Sequence, residues 1–187
     1  MRQTACFSQL VLSSLSLLAL VSAVGAAEWG VYQTRADFLR EALQTETPAS
    51  EVIWMDDELQ DVAKEILGHR SGMLRVRYWY ADKRTAWVLE EIGKEKPITL
   101  GVVVENGEIQ FLRVLAFRET RGWEIRFPFF TDQFVSLGLN ENRELDRRID
   151  SISGATLSVN ASIRVAKLAL TLHEYAVSKN RLTETST

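Results

Sequence analysis

Ile98-Thr99-Leu100-Gly101-Val102-Val103-Val104-Glu105-Asn106-Gly107-Glu108-Ile109-Gln110-Phe111-Leu112-Arg113-Val114-Leu115-Ala116-Phe117 decides the fold. Two β-prone runs, Ile98 to Val104 and Glu108 to Phe117, flank Asn106-Gly107. Asn-Gly is the strongest short hairpin signal, because the favoured two-residue turn needs positive φ at both central residues. Upstream, Met73 to Tyr80 alternates, with Leu74, Val76, Tyr78 and Tyr80 on one side and Arg75 and Arg77 on the other. That period of two predicts a strand, with Thr85 to Leu89 as its hairpin partner. Downstream, Trp123, Ile125 and Phe127 alternate and predict a short further strand that Pro128 stops. Phe129 to Leu137 reads as a brief helix.

Helical signals frame these strands. Leu157 to Val177 places Val159, Ile163, Ala166 and Leu170 on one stripe, and Ala161, Val165, Leu168, Leu172 and Tyr175 on the next. So wide an apolar face predicts a helix packed on the sheet. Near the start, Thr34 is placed to cap a helix with Asp37 three residues on. Phe38, Leu39, Ala42 and Leu43 form its stripe, and Pro48 ends it. Asp56-Asp57 opens a second helix with Leu59, Val62, Ala63 and Ile66 on its buried face and Gly68 as its C-cap. The class is α+β, a mainly antiparallel sheet with packed helices.

The 187 residues suit one domain with a sizeable core, or a domain plus an extension. At 46% hydrophobic residues the chain is globular, and a net charge of −3 with no basic block longer than a dipeptide argues against nucleic acid as a partner. Arg2, the apolar run Leu10 to Val21 and the small residues Val24-Gly25-Ala26-Ala27 read as a cleavable secretory signal, with a retained membrane anchor as the alternative. The expected destination is the periplasm. Cys6 lies inside this segment, so the mature chain would hold no cysteine, and no Cys-based metal site is expected. The expected layout is a signal over 1–27, an N-terminal helical segment over 28–72, an α+β domain over 73–178 and a polar tail over 179–187.

The chemistry-bearing stretch is Asp150-Ser151-Ile152-Ser153-Gly154-Ala155-Thr156, which runs directly into the long helix. Ser153 is placed as an N-cap, Gly154 lets backbone amides approach a bulky group, and Ala155 stays small for the same reason. The following helix start offers unpaired N–H groups and a positive dipole end, a ready phosphate site. The same residue types also occur at ordinary loop-to-helix junctions. No Lys or His lies in the heptapeptide, so self-catalysed chemistry at Thr156 is not supported. His69 and His173 lack ligand spacing and read as surface or helix-end residues; no metal site is expected. Trp54, Trp79 and Trp87 are assigned to packing; Phe127, Phe129, Phe130 and Phe134 form a dense aromatic cluster, read as core in preference to a wall for a bound ring system.

The heptapeptide has the form D-x-x-[ST]-G-A-T. It resembles the flavinylation motif of the FMN-binding domain family, whose members include flavin-bearing components of the sodium-translocating NADH:quinone reductase and of the Rnf complexes. The resemblance implies FMN carried covalently on Thr156 through a phosphoester. A separate flavin transferase would attach it, with Asp150 in what that enzyme reads. Ser153, Gly154, Ala155 and Leu157 would then surround the attachment point. A second similarity is Glu119-Thr120-Arg121-Gly122, where the family usually shows E-T-P-G in a loop lying over the flavin. It implies that Glu119, Thr120 and Gly122 shape the flavin site; Arg121 departs from the pattern. Trp123 follows directly, either a stacking partner for the flavin or a core aromatic. The implied function is a periplasmic electron-transfer flavoprotein. Its redox partner proteins would be a membrane reductase, a cytochrome or another flavoprotein. A small flavin-dependent reductase and a non-redox flavin-binding or regulatory module stand as alternatives, and the lack of a dinucleotide fingerprint weighs against the reductase.

Overall fold

In the computed structural model, residues 30–179 are described; the predicted signal segment and most of the polar tail lie outside them. Five strands form one antiparallel sheet in the order β1-β2-β3-β4-β5: Ala49–Trp54, Arg75–Ala81, Arg84–Ile92, Pro97–Glu105 and Glu108–Phe117. Helix α1 is Arg35–Leu43, α2 is Asp57–Leu67, α3 is the single turn Pro128–Thr131, and α4 is Thr156–Ser178. The α+β class with a mainly antiparallel sheet is what the structure shows.

The β4–β5 hairpin turns at Asn106 and Gly107, whose φ values of 54° and 80° are both positive, as its turn type demands. Inward-facing Ile98, Leu100, Val102 and Val104 meet α4, which is buried along most of its length. α2 lies against α4 on the same side, capped by Asp56 and closed by Gly68. α1 covers part of the opposite face, where Phe38 packs with Ala86, Val103 and Leu115. Gly101 permits that contact: a Cβ there would lie 2.5 Å from the Phe38 ring. Thr34 caps α1 by accepting from the Asp37 N–H at 3.1 Å.

Four readings are corrected. Trp123 to Phe127 is not a strand but a 3-10 turn over Trp123–Arg126. The β5 edge beside it is already taken by residues 30–33: the Tyr32 N–H donates to the Leu115 carbonyl, and the Phe117 N–H to that of Gly30. The stretch after Pro48 holds strand β1 as well as helix. Only Ile53 of its six residues is buried, so it carries almost no periodic signal. Trp54, at the end of that edge strand, does not pack inside; it is 64% exposed. His173 is not at the surface. It lies buried on the sheet side of α4, with Nδ1 in a 2.8 Å hydrogen bond to Thr85 Oγ1, which also accepts from Trp87 Nε1. Desolvation of the imidazolium lowers the His173 pKa to about 4.

Candidate functional site

The heptapeptide is a presented loop. Asp150 donates its backbone N–H to Gln133 Oε1 at 2.7 Å, which ties the loop to the segment after α3. Ile152 packs partly into the core and Ala155 is buried, while Asp150, Ser153, Gly154, Thr156 and Leu157 are exposed. The Ala155 N–H donates to the Ile152 carbonyl at 2.9 Å, closing a four-residue turn in which Gly154 takes φ +83°. A left-handed residue at that third turn position calls for glycine. No atom lies within 4 Å of where a Cβ on Gly154 would stand, so the space over the turn is open.

Ser153 does not cap the helix. The N-cap is Ala155, which makes no side-chain capping bond, and the first helical bond runs from the Val159 N–H to the Ala155 carbonyl. Ser153 lies two residues too early, inside the turn. Thr156 is the first helical residue, and it, Leu157 and Ser158 are the amides that a helix start leaves without intrahelical partners. An anion at Thr156 would face these N–H groups and the positive end of a 23-residue helix.

The second motif is brought to the first by one glycine. Gly122 has φ +88°, and a Cβ on it would lie 2.5 Å from Ser158 Oγ and 3.4 Å from the Ala155 Cβ. Only glycine lets the 119–122 loop rest on the opening turn of α4. Thr120 and Arg121 are exposed on that loop.

Glu119 is placed differently from a residue that touches a ligand directly. Its Oε1 accepts from three successive backbone N–H groups, those of Lys94 and Glu95 at 2.6 Å and Lys96 at 2.9 Å. The carboxylate therefore holds the turn between β3 and β4 against the 119–122 loop. Burial pushes its pKa up, but the three amides outweigh that and hold the carboxyl below its ordinary value.

Trp123 is not a core aromatic; it is 42% exposed. Its ring meets Phe127 edge-on at 5.5 Å. The Arg126 guanidinium stands over three rings, Tyr32 at 4.6 Å, Phe127 at 4.9 Å and Trp123 at 5.2 Å. Such cation–ring stacking stiffens an otherwise exposed aromatic group. Phe130 and Phe134 are buried core residues as read, but Phe129 is not: on the single turn of α3 its ring points to solvent and is 61% exposed. Tyr32 and Arg126 carry no signal in the sequence, because their pairing depends on residues 30–33 folding back onto β5.

The residues fit a flavin mononucleotide: an exposed hydroxyl at a helix start, free amides for a phosphate, open space over Gly154, and exposed aromatic surface on the neighbouring loop. Residues 93–171 match the FMN-binding domain family, a span that runs from the turn held by Glu119 to the latter part of α4 and contains both motifs. No curated protein matches the chain.

Proposed function

We propose, from the membership of residues 93–171 in the FMN-binding domain family, that this flavin-binding protein carries its FMN covalently on Thr156 and serves as a periplasmic electron carrier. The observation that supports it best is the contact of Gly122 with Ala155 and Ser158. It sets Trp123 and the exposed Thr156 on two segments packed against each other.

When bound, FMN supplies one- and two-electron redox chemistry. The chain's own residues do the rest. Thr156 Oγ1 would attack the pyrophosphate of a flavin dinucleotide held by a flavin transferase. The Oγ1–P bond would form, the pyrophosphate P–O bond would break and a nucleoside monophosphate would leave. The hydroxyl proton would pass to a base of the transferase, and the chain would gain FMN less one water. The amides at the start of α4 stabilise the remaining phosphate charge. Gly154 would leave room for the ribityl chain, and Trp123 would be the ring surface available to the isoalloxazine. Asp150, exposed ahead of the turn, is the element the transferase reads. Attachment prevents loss of a cofactor that is scarce outside the cytoplasm, where a dissociable one would be lost by mass action.

The test is the mass of the mature protein after co-expression with a flavin transferase in an exporting bacterium. The expected product is the chain plus one FMN minus one water, on a peptide that contains Thr156. Thr156→Ala is expected to abolish the denaturation-resistant yellow colour and keep the fold, because the residue is exposed. Colour that survives denaturation in that variant overturns the assignment. Rapid, saturable NADH oxidation by the isolated holoprotein would replace the carrier with a reductase.

A further inference from the structure

The sheet splits. β2 and β3 pair only from Tyr78↔Trp87 to Ala81↔Arg84. Beyond Tyr78, residues 75–77 of β2 are laddered to β1 alone. Beyond Trp87, residues 88–92 of β3 are laddered to β4 alone. The diverging strands enclose a groove of about 560 Å3, with Arg75, Val76 and Arg77 on one wall and Val88, Leu89 and Glu90 on the other. A strand that loses its neighbour presents main-chain N–H and C=O groups that need partners. Here two such edges face one gap.

The two faces of the gap differ in chemistry. Towards the core it is lined by Leu67, Met73, Val76 and Leu89. On the other face stand three arginines. Arg35 lies over the Trp79 ring at 5.8 Å, Arg75 over the Trp54 ring at 5.9 Å, and Arg77 donates to Ser50 Oγ at 3.0 Å. None of the three meets a carboxylate among the described residues. The carboxylates at hand are engaged: Glu91 is buried between Arg164 and His69, and Glu90 accepts from Thr99. Three guanidinia without acids, on a chain of net charge −3, mark a local departure from the charge of the whole.

We propose that this split is a strand-acceptor slot, which takes an extended segment of a partner protein. The incoming main chain bonds the open edges of β2 and β3. Successive side chains of a strand point to opposite faces, so the segment that fits alternates acidic residues towards Arg35, Arg75 and Arg77 with apolar residues towards Val76 and Leu89. Main-chain bonds supply affinity and the alternate side chains supply specificity. Trp and Arg on the rim are the residue types that dominate binding energy at interfaces. The proposal does not depend on how FMN is held.

The test uses a short peptide of alternating Glu and Val. Its controls are a Lys-Val peptide and an N-methylated Glu-Val peptide that keeps the charge but cannot donate main-chain hydrogen bonds. Amide exchange is followed on the full mature protein. Successive amides of a strand point to opposite edges, so the amides that face the gap are those of Arg75, Arg77, Val88 and Glu90. The expected result is rapid exchange at these four in the free protein and protection on adding the Glu-Val peptide alone. The double variant Arg75→Glu/Arg77→Glu changes only exposed side chains and is expected to bind about tenfold more weakly with an unchanged thermal melt. Any of four results overturns the proposal. These are amides already protected in the free protein, no protection by the peptide, equal binding of the Lys-Val peptide, or equal binding of the N-methylated peptide. The last would leave an anion patch without strand addition.

Discussion

Trp87 and Trp54 stand on the same sheet in opposite surroundings. Trp87 is fully buried, stacked on Tyr78 at 4.9 Å between ring centroids, with Nε1 bonded to Thr85. Trp54 is largely in water, with the Arg75 guanidinium over its ring. The first sits on the last rung that joins β2 to β3, on the face that α4 covers. The second sits on the free edge, beside the split. The difference separates what tryptophan does for stability from what it does for recognition. A buried ring contributes through area removed from water and close contacts. An exposed one contributes only when a partner covers it.

The comparison is open to direct attack. Trp87→Ala is expected to cost about 3–5 kcal/mol in chemical denaturation, the range for emptying a fully packed aromatic site. A cost under about 1 kcal/mol would mean that the inner face collapses to fill the hole, and that its packing is less specific than described.

The next effect is in the same cluster and depends on pH. His173 must shed its charge to stay buried, so between its ordinary value of 6.5 and about 4 the unfolded chain binds the proton and the folded chain does not. Stability is then full above pH 6.5 and falls as the pH drops towards 4, by about 3 kcal/mol in all. His173→Gln is expected to flatten that part of the stability–pH curve. An unchanged slope would place the proton elsewhere.

Arg164→Ala sharpens the comparison at the point where β3 leaves β2. It leaves the buried Glu91 carboxylate with only the half-exposed His69 as a charged partner. The expected cost is about 1–3 kcal/mol by denaturation. Trp54→Ala is expected to change stability by less than about 0.5 kcal/mol. A larger loss would show that the open edge is part of the core after all.

The same contrast explains what can be read from the sequence. The β4–β5 hairpin announces itself because Asn106-Gly107 fixes the turn and both arms are buried. α2 is legible through its caps and stripe and α4 through its stripes alone, signals that are local by nature. β1 is invisible because an edge strand with one buried residue has no period to detect. The 3-10 turn at Trp123 reads as a strand because its alternation is real, but the place where a strand would pair is occupied by residues distant in sequence. His173 reads as a surface residue because its partner, Thr85, lies 88 positions away. At the site, the heptapeptide and the 119–122 loop are both legible as motifs. Their contact is not, because it rests on the room a missing Cβ leaves at Gly122. Nor is the hold of Glu119 on three amides, because main-chain geometry leaves no mark in residue type.

α4 runs unbroken for 23 residues, with Thr156 at its first turn and Arg164 and His173 facing fixed partners further along. A helix advances by about 100° per residue. One residue gained or lost between Ser158 and Arg164 would therefore swing the opening turn, with Thr156 on it, a quarter-turn or more and take Ser158 and Ala155 off Gly122, while the rest of the helix stayed seated on the sheet. Length in this segment is a phase, and descent can change its letters far more freely than their number. The exposed stretch at 140–144 carries no such phase, so insertions there leave Thr156 where it is.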